Sequence, residues 1–303
     1  MDQKRTWFEK DISGCSLTGF ICEDGKRVIG GGLIGIKAAE ALKKRKIEVT
    51  VVELADHILS LTLDEMASSI LEKALKKAGV HLITANTVEA ILGDGRVESV
   101  RLADGKLLRT QLVVVAIGVI PNVDPFRESS LHIEKGILVN ERMETNLPDV
   151  YAAGDVVEAY DKVLKCYRTI PIWPNAYLQG KVAGYQMVGN KKYRYGGSFM
   201  MNSMEVAHIP TISIGLTNPS PDDGYQVMKK FDRSSNVYRK VILKGDVIAG
   251  AIFTGHIDRA GIITGLLRDG IKVKGFKKEL MSEQFGFISL PKSLRKERLL
   301  FGK

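Results

Sequence analysis

The sequence predicts an α/β protein: a doubly wound parallel-sheet domain interrupted by an antiparallel meander, followed by an α+β module. Short β-branched runs alternate with helical patterns between residues 27 and 84, Asp-Gly pairs punctuate residues 94–105, and short strand-like runs crowd the chain from residue 198 onward.

The first element is the apolar pair Val28-Ile29, a strand that runs into Gly30, Gly32 and Gly35 at G-x-G-x-x-G spacing. Ile36 to Leu42, rich in alanine and leucine, suits the helix that follows. In such a loop the first glycine allows the tight turn and the second lets backbone approach a pyrophosphate. The third lets helix pack close to strand, and the phosphate rests on the unpaired NH groups of the helix start. "IEVTVVE" is the second strand and ends in Glu53, about 20 residues beyond the loop, where a carboxylate accepts ribose hydroxyls and repels a 2'-phosphate. No arginine follows in "LADHILSL", so the pattern favours NADH over NADPH. The bland alternative is a glycine turn with Glu53 as a solvated strand end.

"LDEMASSILEKALKKAGV" has apolar residues at helical spacing (Met66, Ile70, Leu71, Ala74, Leu75, Ala78) and closes at Gly79, a C-cap position. "VHLIT" is the next parallel strand and completes a βαβαβ half. "TVEAILGDG", "RVESVRLADG" and "KLLRTQLVVVAIG" then read as a meander turned by Asp-Gly pairs, inserted before a last strand, "LVVVAIG", which delivers Gly118 to the cofactor edge. From about residue 146 a short strand, a glycine and an acidic turn lead to a helix entered through Pro174, where a missing NH costs nothing. The strands from residue 198 precede a helix, "IDRAGIITGLLRDG".

Composition sets the outer limits. A chain of 303 residues has room for two or three modest domains, and 45% hydrophobic with 26% charged residues is ordinary for a globular protein, which excludes disorder. The longest apolar run, "LVVVAIGVI", is too short for a bilayer, and the N-terminus lacks a signal-peptide core, so a cytoplasmic protein without membrane contact is expected. The net charge of +9 gathers at "KKRK", "KVKGFKK" and the C-terminus. No aromatics interleave these clusters and no nucleic-acid motif is present, so they read as a solvated basic face, with an acidic electron carrier as the interesting minority partner. Cys15, Cys22 and Cys166 lack C-x-x-C or zinc-ligand spacing and read as buried or idle thiols, with a Cys15–Cys22 pair across a small loop as the alternative; no metal site is expected. The histidines (His57, His81, His132, His208, His256) are scattered, and no catalytic acid or base can be named.

In order along the chain, "GGGLIGIKAAEAL" with "VTVVE", then "VVVAIGVIPN", then "METNLPDVYAAGDVVE", then "WPNAYLQGKVAG" closely resemble the FAD-dependent pyridine nucleotide oxidoreductases, in the branch of NADH oxidases, rubredoxin reductases and the reductase part of nitrite reductase. The resemblance spans roughly residues 26 to 290 and implies a Rossmann-like NAD(P)H domain at 25–145, the C-terminal half of an FAD domain at 146–197, and an interface or dimerisation domain at 198–303. It implies that Gly30, Gly32, Leu33, Ile34, Gly35, Glu53, Ala116, Ile117 and Gly118 hold NADH. It assigns Gly154, Asp155, Val156, Pro174, Asn175 and Ala176 to FAD, with Asp155 on a ribityl hydroxyl and the helix start aimed at the flavin ring.

Two departures accompany the resemblance. The family's first glycine loop, for FAD, has no counterpart, and residues 1–24 are an unassigned leader too short for a βαβ unit of roughly 30 residues. The flavin site is therefore expected to be incomplete in this chain. Lys37 stands where the family usually has a glutamate facing the flavin and nicotinamide. Three functions follow as rivals: a flavin-dependent NADH oxidoreductase, an inactive NADH-binding remnant or sensor, and a flavin-free dehydrogenase. The first is either completed by a separate FAD-binding chain or descended from a longer one, and its acceptor is open among dioxygen, nitrite-reductase haem, disulfides and an acidic rubredoxin- or ferredoxin-type protein. A homodimer is implied by the resemblance.

Overall fold

The computed structural model describes Gly19–Phe20 and residues 27–300. Strand β2 (Arg27–Gly30) leads into helix α1 (Leu33–Lys44), β3 (Val49–Val52), α2 (Glu65–Lys77) and β4 (Val80–Ile83). These strands are parallel, with Arg27 opposite Val49 and Val49 opposite Val80. The pair β1 (Gly19–Phe20) lies antiparallel to β3. On the other side of β2 runs β8 (Leu112–Val113), also parallel, so the order is β4-β3-β2-β8 and reverses between β2 and β8. Ligands of open α/β sheets bind outside the carboxyl ends of the strands at such a reversal.

The sheet is stable because both faces are covered. Val49, Val51 and Val52 are fully buried, against Ile36 and Ala39 of α1 and Leu71 and Leu75 of α2. Helix α2 begins at Asp64, whose side chain accepts the NH of Ala67, and ends before Gly79, whose φ of +80° is the left-handed stop expected of it. Between β4 and β8 stands the expected meander, β5 (Val88–Leu92), β6 (Ser99–Leu102) and β7 (Leu107–Arg109), a separate antiparallel sheet with left-handed Gly95 and Gly105 at its turns. The strand expected over "LVVVAIG" is a correction: only Leu112–Val113 pair with β2, and Val115 is left exposed.

A second, small core follows. Strand β9 (Ile137–Leu138) pairs in parallel with β10 (Val157–Asp161), which pairs antiparallel with β11 (Cys166–Arg168), and α3 (Trp173–Met187) packs beside them. Val139, Met143, Val157, Ala159, Val182 and Ala183 make this core, which therefore draws on chain N-terminal to residue 146. Helix α3 turns the amides Asn175, Gln179 and Gln186 inward and leaves Trp173, Tyr177 and Leu178 exposed, the reverse of an ordinary amphipathic helix.

The C-terminal module is an antiparallel sheet in the order β12-β13-β16-β15-β14, built from β12 (Met201–Val206), β13 (Ile209–Gly215), β14 (Tyr225–Asp232), β15 (Val237–Lys244) and β16 (Val247–Thr254). Helix α4 (Ala260–Arg268) follows, and a last helix, α5, spans Lys292–Leu300. Side chains alternate across a strand, and the sheet uses both faces. Tyr238, Ile252, Met204 and Val206 join the core of the parallel domain, while Val241, Leu243, Ala251 and Phe253 pack with Ile263 and Leu266 of α4. The sheet is thus a wall between the nucleotide-type domain and α4. Among the described residues no helix is long and apolar enough to cross a membrane.

Candidate functional site

The glycine loop sits at the carboxyl end of β2, next to the reversal of strand order. Gly32 is the N-cap of α1 in extended conformation, Ile36 NH donates to its carbonyl at 2.9 Å, and the first turn carries no acidic side chain. The amides of Leu33, Ile34 and Gly35 precede the first intrahelical bond and face outward with the positive end of the helix. Nothing lies within 4 Å of the position a Gly32 Cβ would take, so the approach to those amides is open. Ile34 is 63% exposed beside it.

Gly31, which lies between the spaced glycines, leaves no room for a side chain. A Cβ there would lie 2.9 Å from the Cβ and 3.0 Å from the Cγ of Glu53. Glu53 extends β3, its NH bonded to the carbonyl of Ile83 at 2.8 Å, and its Oε1 accepts the NH of Ala55 at 2.9 Å. Burial pushes its carboxyl above the ordinary range, against the opposing pull of the NH groups of Ala55, Gly31 and Leu54 and of His57. The strand end is therefore not the solvated carboxylate of the bland reading: Glu53 is 6% exposed and lies directly against the loop.

Residues 54–63 close over this pair. Leu59 NH donates to the carbonyl of Gly31 at 3.1 Å, Ile58 NH to Glu72 Oε1 at 3.2 Å, and the Ser68 hydroxyl to the Ile58 carbonyl at 2.7 Å. Leu59 has a φ of +56°, a left-handed conformation that costs a leucine about 1 kcal/mol or more and survives only where its surroundings fix it. Ala116, Ile117 and Gly118 continue from the end of β8 beside the loop, Ala116 and Ile117 half-buried and Gly118 exposed with a φ of +110°. The structure so brings Gly30, Gly32, Leu33, Ile34, Gly35, Glu53 and the 116–118 edge to one side of the sheet.

The second set is gathered elsewhere, at the start of α3. Gly154 is left-handed at φ +92°, and a Cβ on it would meet Ala176 Cβ at 3.8 Å. Asp155 is exposed and Val156 half-buried. The NH of Gly154 donates to Gln179 Oε1 at 2.8 Å, a contact no motif announced, from a side chain 3% exposed. Removing one partner of a buried hydrogen bond costs about 1–3 kcal/mol. Gln179→Leu is therefore expected to lower stability by about 1–2 kcal/mol in urea unfolding and to loosen the 154–156 turn against α3.

Pro174 occupies the first turn as expected. Asn175, 1% exposed, gives its amide to the Ile170 carbonyl at 3.1 Å and receives the Tyr195 hydroxyl at 3.3 Å, so its side chain is occupied in folding; the NH groups of Asn175 and Ala176 both go to the Ile172 carbonyl. A cleft of about 520 Å³ lies between Ser60, Leu61 and Thr62, the approach to α3 at Pro171 and Ile172, and Thr217 and Asn218 of the C-terminal module, and neither set contributes a residue to its lining. Lys37 points away from this arrangement, its Nζ 2.6 Å from both Glu40 Oε2 and the carbonyl of Glu205 on β12. Cys166 is free and exposed on β11, while Cys15 and Cys22 lie outside the described residues, as does the 1–18 part of the leader.

Compared with known proteins, residues 16–180 match the family described as pyridine nucleotide-disulphide oxidoreductase. The chain belongs to that family. Residues 201–271 match the rubredoxin NAD+ reductase C-terminal domain, which coincides with the five-stranded wall. Among curated relatives, the nitrite reductase [NAD(P)H] of Bacillus subtilis is 34% identical over 75% of the chain and the NADH oxidase of Methanocaldococcus jannaschii 36% identical over 67%. The chain spans 27% and 45% of the length of those two proteins. The NAD-dependent persulfide reductase of A. fulgidus has the same fold, with a TM-score of 0.76 and 24% identity over 92% of this chain and 55% of its own.

Proposed function

We infer that this chain binds NADH at the Gly30–Gly35 loop and works within an FAD-dependent NAD(P)H oxidoreductase. The observation that supports this most is the fit at the first set: an open approach to the amides at the α1 start, with a buried carboxylate against Gly31 where an adenosine ribose would be held. Glu53 would accept the ribose hydroxyls, the Leu33–Gly35 amides would take the pyrophosphate, and Ile34 with Ala116–Gly118 would flank the nicotinamide. Gly154, Asp155, Val156 and the first turn of α3 would hold one side of a flavin, which when bound would supply the chemistry that takes a hydride from a nicotinamide and releases single electrons.

The exposed aromatics Trp173 and Tyr177 of α3, together with Val119 and Ile120, are apolar surface that the rest of a flavin site would cover. The net charge of +9 and the match to a rubredoxin reductase module favour an acidic redox protein of the rubredoxin or ferredoxin type as acceptor. A homodimer through the C-terminal module completes the reading. The second reading, an NADH-binding sensor, is favoured by one observation: Lys37 is tied to Glu40 and Glu205 rather than presented to a cofactor.

Titration of the purified chain with NADH and NADPH at pH 8 is expected to show tighter binding of NADH. The preference should narrow as the pH falls, because a carboxyl raised by burial becomes neutral at a higher pH than usual and stops repelling a 2'-phosphate. Absence of binding by either dinucleotide overturns the proposal. With FAD added, a flavin absorption band that bleaches anaerobically on NADH supports the oxidoreductase; NADH binding without flavin reduction, even with a flavin-carrying partner, leaves the sensor.

A further inference from the structure

The geometry points to Lys240 and Asn218 of the C-terminal module as positioning residues for the dinucleotide: Asn218 holds the Ser60 and Leu63 carbonyls and Lys240 the Asp64 carboxylate, and so they fix the segment that closes over Gly31 and Glu53. The inference rests on the reading of the glycine loop as an NADH site.

Lys240 lies on β15 two residues from Tyr238, so both side chains face the parallel domain. Lys240 is 3% and Tyr238 1% exposed. The Lys240 Nζ donates to Asp64 Oδ2 at 2.9 Å and to the Thr217 carbonyl at 2.7 Å, and the Tyr238 hydroxyl donates to the same Oδ2 at 2.7 Å. The other oxygen of Asp64 accepts the Ala67 NH at 3.2 Å and so starts α2. One carboxylate therefore begins a helix of the nucleotide domain and is gripped by the neighbouring sheet. Burial alone would raise the Asp64 carboxyl, but the bonds from Lys240, Tyr238 and Ala67 outweigh it and hold it below its ordinary value. A carboxyl lowered in this way adds stability above its ordinary value, lost only as the pH falls through the lowered one, so the grip is intact at neutral pH.

Asn218 adds a second anchor beside the first. Its Nδ2 donates to the Ser60 carbonyl at 3.2 Å and to the Leu63 carbonyl at 2.9 Å. Between these anchors and Glu53 stands left-handed Leu59, whose NH holds the carbonyl of Gly31. A strained residue of this kind keeps its conformation only when the chain is held on both sides. On one side the holders are Gly31 and Glu53, with Glu72 and Ser68 of α2 on the backbone of Ile58; on the other they are Asn218 and, through Asp64, Lys240. Loosening the distal side should let Leu59 relax, release Gly31 and move Glu53.

The test uses Asn218→Ala, an exposed residue whose loss spares the core, and Lys240→Met. Amide hydrogen exchange of residues 54–63 is measured in the free protein, and the dissociation constants for NADH and NADPH are measured alongside. Faster exchange in that segment, an NADH constant raised about fivefold in Asn218→Ala and about tenfold in Lys240→Met, and a reduced preference over NADPH are expected. A role confined to stability would leave the NADH-to-NADPH ratio where it was. Unchanged exchange, or faster exchange with an unchanged ratio, overturns the inference; if Lys240→Met does not fold, Asn218→Ala decides. Failure of the native chain to bind any dinucleotide would instead strike the underlying reading, and the exchange data would tell the two failures apart.

Discussion

Gly31→Ala is expected to weaken NADH binding by roughly ten- to a hundredfold, about 1.4–2.8 kcal/mol, in a chain that still folds. The added methyl would lie 2.9 Å from Glu53 Cβ and 3.0 Å from its Cγ, closer than carbon atoms pack, so the carboxylate stem must move off the loop. Moving it disturbs both partners of the proposed ribose contact at once: Glu53 leaves its bond to the Ala55 NH, and the Gly31 carbonyl shifts against the Leu59 NH. Overpacking of this kind costs typically about 1–3 kcal/mol, and here the strain falls on the site. The check is a fluorescence titration with NADH beside a urea unfolding curve. Gly32→Ala is the informative contrast, since its Cβ position is empty to 4 Å and the variant should fold as well as the native chain. Equal NADH affinity in Gly31→Ala and the native chain would show that Glu53 takes no part in binding.

The second large effect concerns stability. Gly250 lies in β16 at the centre of the C-terminal sheet, where a Cβ would meet the backbone of Leu216, with its carbonyl carbon at 2.6 Å and its nitrogen at 2.9 Å. Unlike the end of a side chain, that backbone cannot swing aside, because Leu216 NH is bonded to the Ala249 carbonyl at 3.0 Å. Gly250→Ala is therefore expected to cost about 3 kcal/mol, read as a lowered midpoint in urea at unchanged slope. Leu216 precedes Thr217 and Asn218, which hold Lys240 and the 60–63 backbone, so the variant should also bind NADH more weakly at temperatures where it remains folded. Loss of stability with full NADH affinity would separate the sheet from the nucleotide loop.

Much of the first half-site was legible in the sequence because its signals are local. The glycine spacing, the β-branched run ending at Glu53 and the helical pattern closing at Gly79 each lie within a few turns of chain, and β2, α1, β3, α2 and β4 form as read. The alternating runs after residue 198 likewise became β12 to β16, since a period of two survives in any register. The second half-site was legible only through resemblance. Nothing in "WPNAYLQGKVAG" shows that Asn175 and Gln179 would be buried as hydrogen-bonding amides while Trp173 faces outward, because that choice belongs to the neighbours of the helix and not to its own pattern.

The sequence by itself determined the family, the α/β class, the phosphate-type loop and the carboxylate at the end of the second strand, all of which depend on residue types at short fixed spacing. Only the tertiary structure decided that Gly31 is the tight glycine, that Leu59 is held left-handed over it, and that Asn218 and Lys240 secure that segment from 158 and 176 residues away in sequence. The reason is physical. Periodicity and turn chemistry act through the backbone of one segment, whereas a buried ion pair or a close approach to a glycine exists only once two distant segments have been packed together, and many sequences with the same local pattern would pack them differently.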